Sequence, residues 1–99
     1  MMENREYLNK LFDIYKELLT EIEQDTFINY YEEDLSLSEI AENRSISKSS
    51  VGKTLSLTEN KLKEYEEKLN FLKTKEELNN ILEIENIDEL KEKIKNIIG

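Results

Sequence analysis

The chain has 99 residues, a net charge of −9, and no His, Cys, Trp or Pro. Without Cys there can be no disulfide, thiolate nucleophile or thiolate metal site, and without His the commonest general base and transition-metal ligand is missing. The two Gly, at 52 and 99, leave no glycine-rich phosphate loop. No catalytic residue, metal or cofactor is therefore expected. The length suits one domain, and 37% charged residues among abundant Leu, Glu, Lys and Ile, uninterrupted by Pro, point to an all-α fold. No apolar run approaches a membrane span. Met1 to Arg5 shows no basic segment leading into an apolar one, so no secretory leader is read and a cytoplasmic location is expected.

Six helices are expected in chain order. The first runs from about Glu3 to Leu19, with Tyr7, Leu8, Leu11, Phe12, Ile14, Tyr15, Leu18 and Leu19 recurring at three and four. Thr20 with Glu23 has the spacing of a capping box and opens a second helix to about Glu33, burying Ile22, Phe27, Ile28 and Tyr30 or Tyr31. Ser36 with Glu39 repeats the pattern and opens a short third helix, Leu37 to about Asn43. After a break at Arg44, Ser45 and Ile46, Ser47 is placed to cap a fourth helix reaching about Lys73. Thr74 with Glu77 then suggests a fifth helix to about Glu85, and Asp88 a sixth to Ile98. Residues 1–73 are read as the main helical domain. Residues 74–99 are read as a helical tail packed on the same bundle or on a partner subunit.

The fourth helix carries the cleanest periodicity. Val51, Leu55, Thr58, Leu62, Tyr65, Leu69 and Leu72 alternate spacings of four and three, a heptad seam with one polar position. Such a seam packs on the first helix or pairs with a second copy of the chain, and its two ends can do both. A homodimer built from the distal fourth helix and the tail is expected. Carboxylate clusters at Glu32, Glu33 and Asp34, and at Glu64, Glu66 and Glu67, are read as solvated helix faces rather than acid–base or metal sites.

Charge is unevenly distributed. Residues 1–43 carry −9, residues 44–63 carry +4 and residues 64–99 carry −4. The basic stretch coincides with the break between the third and fourth helices. Two short elements joined by a tight turn, the second opening on Ser, describe a helix-turn-helix, whose second helix presents its N-terminal residues to nucleic acid. Arg44, Ser47, Lys48, Ser49, Ser50, Lys53 and Thr54 are the candidate nucleic-acid-binding residues. Lys neutralises phosphate, Ser and Thr hydrogen-bond phosphates or base edges, and a helix N-terminus favours anions. Leu37, Ile40, Ala41, Ile46, Val51 and Leu55 would form the motif's small interior. The same +4 stretch could equally serve only to balance its acidic neighbours, and both readings stay open on charge alone.

Three blocks of the sequence resemble a known family. Tyr7 to Tyr15 with Leu18, Leu19 and Thr20, then Tyr30 to Glu42, and then Ser47 to Val51 with Thr58 and Leu62 to Leu69, are similar in order and spacing to the YlxM-like family. That resemblance implies a bacterial, cytosolic protein with a helical bundle like region 4 of sigma factors. It also implies an accessory role in the signal recognition particle (SRP) pathway, with SRP protein or SRP RNA as partner and DNA as another possible ligand. The chain departs from the family where the turn usually holds Gly: Ser45 stands there, so the turn is expected to differ or to be strained. It departs again after Ser47, where Lys48, Ser49, Ser50, Val51, Gly52 and Lys53 replace the usual Arg-Gln-Ala-Val-Tyr-Asp. The recognition surface is thus more altered than the scaffold.

Overall fold

Residues 2–99 are described by a computed structural model, with side chains from Asn4 onward; Met1, where the leader reading starts, lies outside them. Helix α1 (Met2–Tyr15) tightens into one 3-10 turn, Lys16–Leu18, before α2 (Glu21–Phe27), which widens into a π-helical segment, Ile28–Glu32. Then follow α3 (Leu37–Arg44), α4 (Lys48–Leu69), α5 (Phe71–Ile81) and α6 (Ile87–Ile98). No strand occurs among the described residues. No described helix is long and apolar enough to cross a membrane.

The local caps form as their spacing requires. Thr20 Oγ1 accepts from the Glu23 amide at 3.3 Å while the Glu23 carboxylate accepts from the Thr20 amide at 2.9 Å. Ser36 and Glu39 make the same reciprocal pair, both bonds at 3.1 Å. Each box satisfies two amides that a helix start leaves free.

Four expected boundaries move, one of them the end of the fifth helix, which stops at Ile81 rather than at about Glu85. The fourth helix ends at Leu69, not Lys73, because Asn70 takes a left-handed conformation, φ 55° and ψ 30°. Asn tolerates that region better than most residues. Helix α5 has already begun at Phe71, so Thr74 falls in its first turn and the Thr74–Glu77 pattern caps nothing. Asn86, not Asp88, caps α6, its side-chain oxygen accepting from the Glu89 amide at 3.0 Å.

The main core gathers Leu8, Leu11, Phe12, Tyr15 and Leu19 against Phe27, Leu62 and Leu72. Phe12 stacks on Phe27 with ring centroids 4.2 Å apart. Of the α4 seam, Val51, Leu55, Thr58 and Leu62 are buried within this single chain. Thr58 satisfies its buried hydroxyl by donating to the Thr54 carbonyl one turn back, at 2.8 Å. Leu72 stays in the core although it belongs to α5, Tyr65 is half-buried, and Leu69 is exposed. Ile22 and Leu18, expected inside, are exposed as well; Leu18 lies in the 3-10 turn, which breaks the 3.6-residue period of the stripe.

The joint between α4 and α5 is closed by a buried polar cluster. Glu66 is buried, contrary to its reading as part of a solvated face. Its carboxylate accepts from the amides of Leu72 at 3.0 Å and Lys73 at 3.1 Å, and from the Tyr15 hydroxyl at 2.6 Å. That hydroxyl also accepts from the Phe71 amide at 3.1 Å. The first three amides of α5 thus find partners that Asn70, whose side chain makes no cap bond, does not supply. Burial, reinforced by the bond to Glu66, pushes the Tyr15 phenol up to about 12.

A second tie joins α2 to α4. Lys61 Nζ lies 2.8 and 3.0 Å from the two oxygens of Glu23, the carboxylate of the first capping box. Burial opposes ionisation of Glu23, yet Lys61 and the Thr20 bonds together outweigh it and hold its carboxyl below the ordinary value. The folded state therefore binds this proton less well than the unfolded chain. The resulting stability is full above the ordinary carboxylate range and is lost as pH falls through the lower folded value. The urea midpoint is expected to drop below about pH 4, and Lys61→Ala should shrink that drop. Urea titrations at several pH values on both proteins check it.

Candidate nucleic-acid interface

Helix α3 ends on Ser45 in the left-handed region, φ 55° and ψ 42°. The Ile46 amide reaches back to the Ala41 carbonyl at 3.0 Å, and the Ser45 amide to Glu42 at 3.2 Å. This is the closure that a left-handed residue permits at a helix end. The turn has thus kept a geometry suited to Gly while holding Ser: of the two outcomes expected, a different turn or a strained one, the strained one is found. A left-handed L-residue costs about 1–2 kcal/mol, and the greater unfolded freedom of Gly returns roughly half of that. Ser45→Gly is therefore expected to stabilise the protein by about 0.5–1 kcal/mol, read as a higher melting temperature.

Behind the turn, Ile40, Ala41 and Val51 are buried together, with Tyr30, Leu35 and Leu37 packed against them. Ile46, expected in this interior, is exposed. Tyr30 and Leu35 are additions that the helix-turn-helix pattern did not signal, since they precede the motif. Gly52, on α4, faces Leu37: a Cβ placed there would meet Leu37 Cδ1 at 3.8 Å, ordinary contact. Gly52→Ala should therefore be accommodated and raise the stability of α4 by about 0.5–1 kcal/mol. Chemical denaturation of the variant checks it.

Ser47 caps α4, its Oγ accepting from the Ser50 amide at 3.1 Å and donating to Ser50 Oγ at 2.8 Å. These two hydroxyls are engaged with each other. Lys48, Ser49, Ser50 and Lys53 are exposed and Thr54 is half-exposed around the start of α4. The amides of Lys48 and Ser49 have no helical carbonyl four residues back to donate to, and they point beyond the helix end.

The basic residues of the 44–63 stretch are not equivalent. Arg44 is half-buried and donates to Thr26 Oγ1 at 2.6 Å, which ties the end of α3 to α2. Lys61 is paired with Glu23. Lys48, Lys53 and Lys63 have no ion pair among the described residues. Charge available to a ligand near the turn is therefore concentrated on Lys48 and Lys53, with Lys63 about 15 Å further along α4. The described residues contain no cluster of acidic side chains arranged to hold a metal ion.

A short helix, a left-handed turn with its own small core, and a longer helix presenting exposed basic and hydroxyl side chains at its start constitute a helix-turn-helix. The chain belongs to the family described as "Putative helix-turn-helix protein, YlxM / p13 like", whose model matches residues 2–98. It is 49% identical over 78 residues to a UPF0122 protein of Mycoplasma capricolum subsp. capricolum, covering 79% of this chain and 68% of that protein. A UPF0122 protein of Halalkalibacterium halodurans is 41% identical over 83 residues, 84% of this chain and 76% of the relative. One from Bacillus cereus strain AH187 is 45% identical over 69 residues, 70% of this chain and 63% of the relative.

Proposed function

We propose that the chain is a non-catalytic helix-turn-helix accessory factor of the SRP pathway, working in the cytoplasm and binding nucleic acid through the start of α4. The nucleic-acid part of this reading is carried by Lys48 and Lys53, which have no ion pair among the described residues and sit beside the helix-start amides of Lys48 and Ser49; the SRP part is what the family resemblance implies. Lysines and amides neutralise and hydrogen-bond phosphate without reading sequence. The one Arg in this stretch, Arg44, is half-buried and donates through Nη1 to Thr26 Oγ1, so the stretch offers no exposed Arg for the bidentate guanine contact. The surface therefore favours backbone and shape recognition, the mode by which duplex RNA is bound. SRP RNA suits it better than a specific DNA operator.

A second reading has its own support. Residues 1–43 carry −9, and an acidic surface of that size attracts a basic protein. On that reading the chain is an adaptor that contacts SRP protein on a helix-turn-helix scaffold. Pull-down of SRP protein and RNA with the full chain, before and after nuclease treatment, separates the two. Loss of capture on nuclease treatment supports nucleic-acid binding. Capture that persists supports the adaptor.

A further inference from the structure

The α5–α6 unit leaves a large apolar surface uncovered. Helix α6 has no fully buried residue, although Ile87, Leu90, Ile94, Ile97 and Ile98 lie along it. Two stripes are distinguishable on each helix. The inner ones face the shared cleft: Ile81 and Ile84 from α5 and its end, Ile97 from α6, with Glu77 and Lys93 at its edge. The outer ones are Phe71 and Leu78 on α5 with Leu82 just past its end, and Ile87, Ile94 and Ile98 on α6, all exposed. Leu82 and Ile98 are the extremes, at 83% and 81% exposure.

The two outer stripes have identical spacing, seven then four, and are offset by sixteen residues. Each is rotated by nearly the same angle, in the same sense, from the inner stripe of its own helix. Across the connection 82–86 the chain folds back on itself: Ile97, near the end of α6, lines the same cleft as Glu77, and Lys93 the same cleft as Ile81, the inverse pairing of a helical hairpin. Equal rotations on antiparallel helices bring the outer stripes to one side. The result is a single face built from six large apolar side chains.

We infer that this face is an interface with a second copy of the same chain, the two copies packing about a two-fold axis with α5 antiparallel to α5 and α6 antiparallel to α6. The inference deepens the reading above by giving the helix-turn-helix a paired form, but it rests on the tail alone. Charge selects the occupant. Within their ranges α5 and α6 are each neutral overall, in a chain of net −9. A basic partner would be drawn to residues 1–43 instead. Each helix is also graded from end to end. Helix α5 carries Lys73 and Lys75 at its start, followed by Glu76 and Glu77, and the connection beyond its end adds Glu83 and Glu85, whereas α6 opens with Asp88 and Glu89 and carries Lys93 and Lys95 toward its close. A graded helix is complementary to an antiparallel copy of itself, which is the requirement of an isologous contact. Area agrees. At ordinary side-chain areas the six residues expose roughly 600–700 Å² per copy. Two copies would then bury on the order of 1,200–1,400 Å², within the range of specific interfaces.

Sedimentation of the full chain at micromolar concentration, with circular dichroism as a check on folding, tests it. The wild type is expected as a dimer. Leu82→Glu with Ile98→Glu, two mostly exposed positions, should weaken the dimer at least 100-fold with helicity retained. A chain without cysteine permits a second measurement: Leu78→Cys, mid-helix on the face, should form a disulfide-linked dimer on mild oxidation, whereas Lys48→Cys should not. A wild-type monomer throughout the micromolar range would overturn the inference. So would a double Glu variant that dimerises as tightly as the wild type, or Lys48→Cys linking as readily as Leu78→Cys. Nucleic-acid binding by a strictly monomeric chain would overturn this interface alone, and a dimer that binds no nucleic acid would leave it standing while the functional reading fell.

Discussion

Glu66→Ala is expected to destabilise the protein by about 3 kcal/mol, because it strips partners from two buried donors and one half-buried donor at once, a buried one costing roughly 1–3 kcal/mol when left unsatisfied. The donors are the Tyr15 hydroxyl and the amides of Leu72 and Lys73. For a domain of this size the loss corresponds to a melting temperature lower by roughly 12–24 °C. It is a large share of the 5–15 kcal/mol that holds an ordinary domain together. Glu66→Gln keeps one carbonyl acceptor and should cost about half as much. Tyr15→Phe removes the link to the Phe71 amide and should fall between wild type and Glu66→Ala. Thermal melts of the three variants order them. An Ala variant within 1 °C of wild type would show that water replaces the carboxylate at the joint. The Tyr15 phenol carries an independent signature. Its raised value makes its contribution complete below its ordinary range and lost as pH climbs toward about 12, so its ionisation should lag that of an exposed tyrosine in an alkaline absorbance titration.

The second large effect lies at the turn. Lys48→Ala with Lys53→Ala should reduce affinity for duplex RNA roughly 10- to 100-fold at low salt, as expected for the loss of two phosphate contacts. The slope of log affinity against log salt should flatten by about two. Both lysines are exposed and unpaired among the described residues, so the melting temperature should hardly change. Lys61→Ala serves as the contrast. It also removes one positive charge, but from an ion pair with Glu23, so it should alter stability against pH more than binding. Equal losses of affinity from the two changes would mean that overall charge, rather than the start of α4, governs association.

Local features of the fold were legible in the sequence because the groups concerned sit three or four residues apart. Thr20 with Glu23, Ser36 with Glu39, and Ser47 before its helix all cap as their spacing implied. The break at Asn70 was not legible. No Gly or Pro marks it, and the seam spacing runs across it undisturbed, because Leu72 returns to the same core from the next helix. Thr74 with Glu77 carries the same pattern as the working boxes, but the Tyr15–Glu66 cluster has already started α5 three residues earlier. Glu66 was hidden by its own chemistry. A carboxylate in an acidic run reads as solvated, and its partner Tyr15 lies fifty-one residues away. One signal was present: Glu66 follows Leu62 by four residues, on the side of α4 that the seam buries.

The candidate interface was legible to a similar depth. The position of the turn and the exposure of Lys48, Ser49, Ser50 and Lys53 follow from the sequence and agree with the folded chain, whereas for Ser45 the resemblance left open whether the turn would differ or be strained. The uses of Arg44 and Lys61 do not, since both depend on α2 side chains, Thr26 and Glu23, that approach only on folding. Counting charges overstated the basic surface for that reason, and the part available near the turn contracts to Lys48 and Lys53 on the first two turns of α4.

Backbone amide shifts of the full chain, followed by NMR as a short RNA duplex is added, test the central claim most directly. Changes centred on Ser45 to Thr54 and fading at high salt are expected. Changes confined to residues 1–43, or none at all in low salt, would contradict a nucleic-acid interface at the start of α4.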